Sequence, residues 1–212
     1  YVIIANPDIH VPPRCIRRVK DALDKTQGAV AASARVKDPM GGELFSYWTL
    51  LPLWKDLLDT GLVTRRLFKA MLNTPSYRLA YAGDEDCRLV DAVPGSFFML
   101  KTGILTPGEI KEVFDKHIFL YYEEKVLGQK FRKMGLKTVL VTDESYVHAH
   151  SVSIDKSFKR IVDKQRLLHR SKLYYYKEYL GTGPAGMAAA RAVLGLVLAE
   201  VWFLTVVCRM RW

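Results

Sequence analysis

Cysteine is scarce in this chain. Only Cys15, Cys87 and Cys208 occur in 212 residues, with no C-x-x-C spacing. An odd count without paired spacing excludes a complete disulfide framework and a structural zinc site, and points to a reducing compartment. An initiator Met and a signal peptide are also absent. The chain opens on the β-branched run Tyr1-Val2-Ile3-Ile4-Ala5, as though it starts inside a domain whose first part precedes it. Long hydrophobic runs are confined to one stretch, Met187 to Cys208. Acidic residues are outnumbered, 22 against 32 Lys and Arg, for a net charge of +10. That balance calls for an anionic partner. No nucleic-acid-binding motif accompanies it, which leaves a phosphorylated substrate or an acidic lipid surface as partner and no nucleic acid.

What is present is enough apolar sequence, half of the chain, for one α/β domain with a substantial core. Tyr1 to Asn6 reads as a buried strand, and Pro12-Pro13 opens a helix to about Lys25 with Ile16, Val19 and Leu23 at helical spacing. Gly28 to Val36 reads as a second strand. Leu44 to Leu72 is helical or irregular, and Tyr81 to Asp86 is a polar loop to which no chemistry is assigned. Two short strands, Val90 to Val93 and Ser96 to Leu100, flank Pro94-Gly95, and a helix follows from about Pro107 to Phe114. Ile118 to Tyr122 reads as an apolar strand. An amphipathic helix from Glu124 to Met134 comes next, with Leu127, Phe131 and Met134 on one face and Gly135 as its stop. Lys137 to Thr142 and Ser145 to His150 read as two short strands.

Three places carry candidate chemistry. Asn6-Pro7-Asp8 stands at the C-terminal end of a strand, the edge where open α/β sheets bind ligands; these residues also make plain turns. Glu123 and Glu124 occupy the first turn of a helix, where the dipole favours negative charge whether or not they act chemically. Adjacent helical residues point about 100° apart, so only one carboxylate can readily face a given pocket; if one is a base, the other orients or caps. In Val147-His148-Ala149-His150-Ser151 the histidines alternate, so His148 and His150 share a strand face and can share a site.

In this order the segments resemble glycosyltransferase family 2, of the rhamnosyltransferase and capsular-polysaccharide type. Asn6-Pro7-Asp8 matches its Asn-Pro-Asp or Asp-x-Asp motif, Val90 to Leu100 its Gly-containing strand pair, Phe119 to Glu124 its apolar segment ending in two acids, and Val147 to Ser151 its Val-x-His segment. The match covers residues 1 to about 152 and departs from the family at Glu124, where Asp is commoner, and at Lys125, where many relatives carry a further acid.

The resemblance implies a GT-A-like, Rossmann-like mixed sheet flanked by helices, whose nucleotide-binding first half lies outside this sequence. It implies an inverting transfer from a nucleotide-sugar donor to a hydroxyl of a polysaccharide or lipid-linked glycan acceptor. Glu124 is then the base with Glu123 in support. Asp8, His148 and His150 form the metal site, for Mn²⁺ or Mg²⁺, and Asn6, Asp91 and Gly95 lie near substrate. The alternative is a non-catalytic module, derived from a transferase half, that binds a partner or a membrane.

Beyond residues 1–152, residues 153–180 read as a basic amphipathic helix in which Lys156, Lys159, Arg160, Lys164, Arg166, Arg170, Lys172 and Lys177 alternate with Phe158, Leu167, Leu168 and Tyr174 to Tyr176. This mixture suits an anionic membrane surface, and equally a solvated helix packed on the domain. Residues 181–212 read as an apolar, membrane-associated helix whose 22 mostly apolar residues span roughly 33 Å. Arg191 and Glu200 interrupt it on opposite faces, at about 2.5 to 3.5 kcal/mol each near a bilayer centre. The expectation is a helix that is interfacial or embedded in an assembly with a second subunit, at the cytoplasmic face of the cell membrane.

Overall fold

The computed structural model describes residues 1–72, 86–118, 120–149 and 161–209. The chain divides into two compact units, one of Tyr1–Leu50, Pro75–His117 and Glu123–Val152, the other of Leu51–Thr74, Ile118–Tyr122 and Ser153–Trp212.

The first unit is built on a six-stranded mixed sheet. Its strands are β1 (Val2–Ala5), β2 (Ile9–His10), β3 (Ala29–Lys37), β4 (Cys87–Val90), β5 (Phe97–Leu100) and β6 (Lys137–His148). They run in the order β1-β5-β3-β6-β2, and β4 also pairs with β6. Among the described residues only the β3–β6 pair is parallel. In this unit α1 is Pro13–Lys25, a short 3₁₀ turn covers Thr102–Ile104, and the two remaining helices are Pro107–Glu112 and Glu123–Lys133.

Alternation along the central strands builds two cores. Phe97 and Met99 of β5, with Val139 and Val141 of β6, join Val19 and Leu23 of α1 on one face. Phe98, Leu100 and Leu140 face Leu127 and Phe131 on the other. That is why β3 and the Val139–Val141 part of β6 read as apolar runs. The Glu123–Lys133 helix ends where the sequence predicts: Gly135 takes φ +70°, and Leu136 N–H donates to Phe131 O at 2.9 Å.

The second unit is helical among its described residues. In chain order its helices are α2 (Leu53–Leu58), α3 (Leu62–Leu67) and α4 (Lys69–Leu72). With the first unit's Pro107–Glu112 as α5 and Glu123–Lys133 as α6, the last two are α7 (Ile161–Glu178) and α8 (Pro184–Trp202). A π-type turn, Phe203–Val207, extends α8 to a length of 24 residues, long and apolar enough to cross or associate with a membrane.

Four expectations change. The Tyr1 to Asn6 strand forms, but exposed: Val2 and Ile3 are 48% and 45% accessible, because β1 is an edge strand paired only to β5. The strand expected around Val90 to Val93 ends at Val90, since the chain turns through Asp91. Among its described residues, the apolar run before Glu123 is no strand. Tyr121 and Tyr122 take φ +65° and +70°, a left-handed turn incompatible with extended backbone. Lys137 to His148 is one strand, and its reading as two has a local cause: the pairing with β3 jumps from Val141 to Ser145, leaving Thr142 to Glu144 as an interruption. His150, Lys156, Phe158, Lys159, Arg160 and all of the Tyr81 to Asp86 loop except Asp86 lie outside the described residues.

Candidate functional site

Strands β1, β3 and β6 point the same way, so Asn6, Lys37 and His148 emerge at one edge of the sheet. β5 runs against them, so its N-terminal approach, Gly95-Ser96, lies at that edge too. Helix α6 leads back to the start of β6, which sets its first turn, Glu123 and Glu124, at the same edge. The topology thus gathers residues scattered from position 6 to position 148.

Hydrogen bonds tie the parts together. Asn6 N–H donates to Ser96 O at 2.8 Å, and Ala149 N–H donates to Asp8 O at 3.0 Å. Gly95 N–H makes a long, 3.4 Å contact to Glu124 Oε1. The Ser96 hydroxyl lies 2.7 Å from the Tyr146 hydroxyl. His148 Nε2 lies 3.4 Å from Asp8 Oδ1, with His148 almost fully buried. The Asp8–His148 contact brings a carboxylate oxygen and an imidazole nitrogen to one place at the sheet edge. Among the described residues no three metal-ligating side chains converge.

The glutamates are a coupled acidic pair. A Cβ on Gly95 would stand 3.4 Å from Glu124 Oε1 and 3.8 Å from Glu123 Cγ, so both carboxylate arms lie against this glycine. Burial, and then the neighbouring Glu124 charge, pushes the Glu123 carboxyl up to about 8. Burial also raises Glu124, opposed by its backbone contacts, including the one to Gly95, and by the Lys125 charge. Glu123 Oε2 is buried without a hydrogen-bond partner among the described residues. Two carboxyls held in little water titrate as a pair rather than independently.

Asp91 is differently engaged. Its carboxylate accepts from Leu50 N–H at 2.8 Å and Arg132 Nη2 at 2.6 Å, and it follows the β4–β6 ladder at Thr138, toward the opposite end of β6 from His148. Its contacts support the loop that seats α6. Sequence reasoning passed over two site neighbours. One is Tyr146, whose hydroxyl burial holds well above the usual phenol range. The other is Gly128, where a Cβ would meet Asp91 O at 2.4 Å. A glycine between Leu127 and Gln129 inside a helix was the available signal for that close approach.

In the second unit, Tyr122 ends the left-handed turn with its ring buried. Its hydroxyl donates to Asp56 Oδ2 at 2.5 Å, the Tyr176 hydroxyl donates to the same oxygen at 2.6 Å, and Lys172 Nζ lies 3.2 Å away. Lys172 also bonds the Thr60 hydroxyl. Asp56 and Lys172 are both almost wholly buried, so the ion pair persists because its members' hydrogen bonds are made. The charge in α8 has a partner as well: Glu200 accepts from Val63 N–H at 3.1 Å and Leu62 N–H at 3.3 Å, covering the open amides of α3. No protein-family model matches the chain, and no curated protein matches it.

Proposed function

We propose that this protein is an inverting, metal-dependent glycosyltransferase with a GT-A-like catalytic unit, similar to glycosyltransferase family 2, acting at the cytoplasmic face of a membrane. The observation that carries the reading is the convergence of Asp8, His148 and the Glu123–Glu124 pair on one sheet edge. The four ordered sequence matches alone do not require that meeting.

In this reading Glu124 takes the proton from the acceptor hydroxyl as the sugar is transferred, and Gly95, having no side chain, lets the acceptor approach that carboxylate. Glu123 shares the pair's proton, so that the base is freed of it as pH rises through the pair's upper ionisation, about 8 at Glu123. Asp8 and His148 would hold the divalent cation, which offsets charge developing on the leaving diphosphate. Asn6 fixes the Asp8 turn to the β5 approach through its bond to Ser96. The net charge of +10 and the apolar α8 support an anionic, membrane-bound setting with a polysaccharide or lipid-linked acceptor.

The test is calorimetric titration with MnCl₂ and nucleoside diphosphates, followed by transfer assays. A transferase shows diphosphate binding that strengthens with the cation and is lost in Asp8→Ala. A non-catalytic module shows no linked binding, and that result would overturn the proposal.

A further inference from the structure

Helix α8 passes the length test for a bilayer span, yet one of its faces is occupied along its course. Met187, Ala190, Leu194, Val197 and Val201, at alternating steps of three and four, are buried within the second unit. α8 packs against α7, which carries Lys164, Arg166, Arg170, Lys177 and Glu178. A crossing α8 would draw that charged helix into hydrocarbon with it, which the bilayer penalises at every charge. The opposite face of α8 is open: Leu196 is 71% accessible, and Trp202, Phe203, Val206 and Val207 are about half accessible.

A second apolar surface begins beside that end. Helix α3 buries none of its residues, and Val63, Leu67, Phe68 and Met71, at i, i+4, i+5 and i+8, turn outward. Glu200, two residues before Trp202, holds the amides of Leu62 and Val63. The exposed edge of α3 and α4 is thereby fastened to the exposed C-terminal part of α8. Arg65 and Arg66 lie between the apolar positions, and Arg191 and Arg209 lie on exposed parts of α8 and its extension. Apolar side chains interleaved with arginines fit the headgroup region of an anionic bilayer.

We infer that the second unit is a one-leaflet membrane anchor, in which α8 lies along the surface of an anionic bilayer and α3–α4 forms a second apolar foot fastened to it by Glu200. The inference rests on the membrane setting proposed above and adds its topology and contact surface.

Two measurements test it on the full chain. Flotation with phosphatidylcholine vesicles, with and without phosphatidylglycerol, compares wild type with a Leu67→Glu/Phe68→Glu variant. Both side chains are exposed, so circular dichroism melting should be unchanged. Binding to the phosphatidylglycerol vesicles should fall at least roughly tenfold in the variant. In sealed membrane vesicles from expressing cells, Cys208 and a Lys111→Cys reporter on the sheet unit, in a Cys87→Ser background, should react with impermeant maleimide from the same side. No vesicle binding by wild type would overturn the membrane setting itself. Binding with an unaffected variant, or thiols reactive from opposite sides, would overturn this inference and leave the setting intact.

Discussion

His148 Nε2 stands 3.4 Å from Asp8 Oδ1 because the short ladder pairing Ile9 with His148 and His10 with Val147 brings the Asp8 turn to the end of β6. If the two hold one cation, as proposed, they fail together. Asp8→Ala and His148→Ala should each weaken cation-linked nucleoside diphosphate binding by more than roughly 100-fold, beyond the roughly 10- to 100-fold that outer-shell changes usually cost. The double variant should be little worse than either single one, since both remove the same cation. Calorimetry with and without MnCl₂ reads this directly. Additive losses would mean that the two residues do not share an ion.

The acidic pair sets opposite pH trends for activity and stability. A base must be ionised, so transfer should rise with pH through the pair's upper ionisation, about 8 at Glu123. Between the ordinary glutamate value of 4.5 and about 8, the folded state retains a proton that the unfolded state has released. The pair's contribution to stability is therefore fully present below pH 4.5 and lost as pH rises through about 8. Glu124→Gln should abolish transfer with the fold intact. Glu123→Gln should keep measurable turnover and move the rising limb to lower pH, because the like charge is gone. If the limb stays in place in Glu123→Gln, the two carboxyls are not coupled in function.

Helix α6 reaches its place through a contact no larger side chain permits. With Asp91 O only 2.4 Å from a Cβ at Gly128, Gly128→Ala must displace the helix or the loop. Overpacking of this kind costs about 1 to 3 kcal/mol. Gly128 lies one turn beyond Glu124 on the same helix face, so transfer should fall further than the lost stability explains. Urea midpoints and turnover measured on the same variant compare the two losses.

Helix α1, strand β3 and the body of α6 were legible in the sequence because each is set by local signals: Pro13 at a helix start, an apolar run bounded by Gly28, and the Leu127–Phe131 spacing with its Gly135 stop. The chemistry-bearing residues were legible as types in an order, but their meeting was not, since it depends on β5 running antiparallel between β1 and β3. The turn before Glu123 was misread because Tyr121 and Tyr122 have strand-forming side chains, and nothing local announces a left-handed backbone there. The engaged state of Asp91 was hidden for the same reason: Leu50 and Arg132 reach it from distant segments. Partners separated by a fold's length leave no periodic trace.

That limit applies most strongly to Asp56 and Lys172, a buried pair whose residues sit in a short helix and a basic-looking one. Lys172 counts in the sequence as one more surface cation, yet it is 5% accessible. Asp56→Ala removes the carboxylate that pairs with the Lys172 ammonium and accepts from the Tyr122 and Tyr176 hydroxyls. Removing one partner of such a pair costs about 3 to 5 kcal/mol, whereas replacing both with apolar groups of similar size is far milder. Asp56→Ala should therefore lower the urea midpoint of the helical unit sharply. Asp56→Leu/Lys172→Met should recover much of that loss, because no charge is left stranded. Equal destabilisation by the single and double changes would show that the two tyrosine hydroxyls, rather than the buried charge, hold the network together.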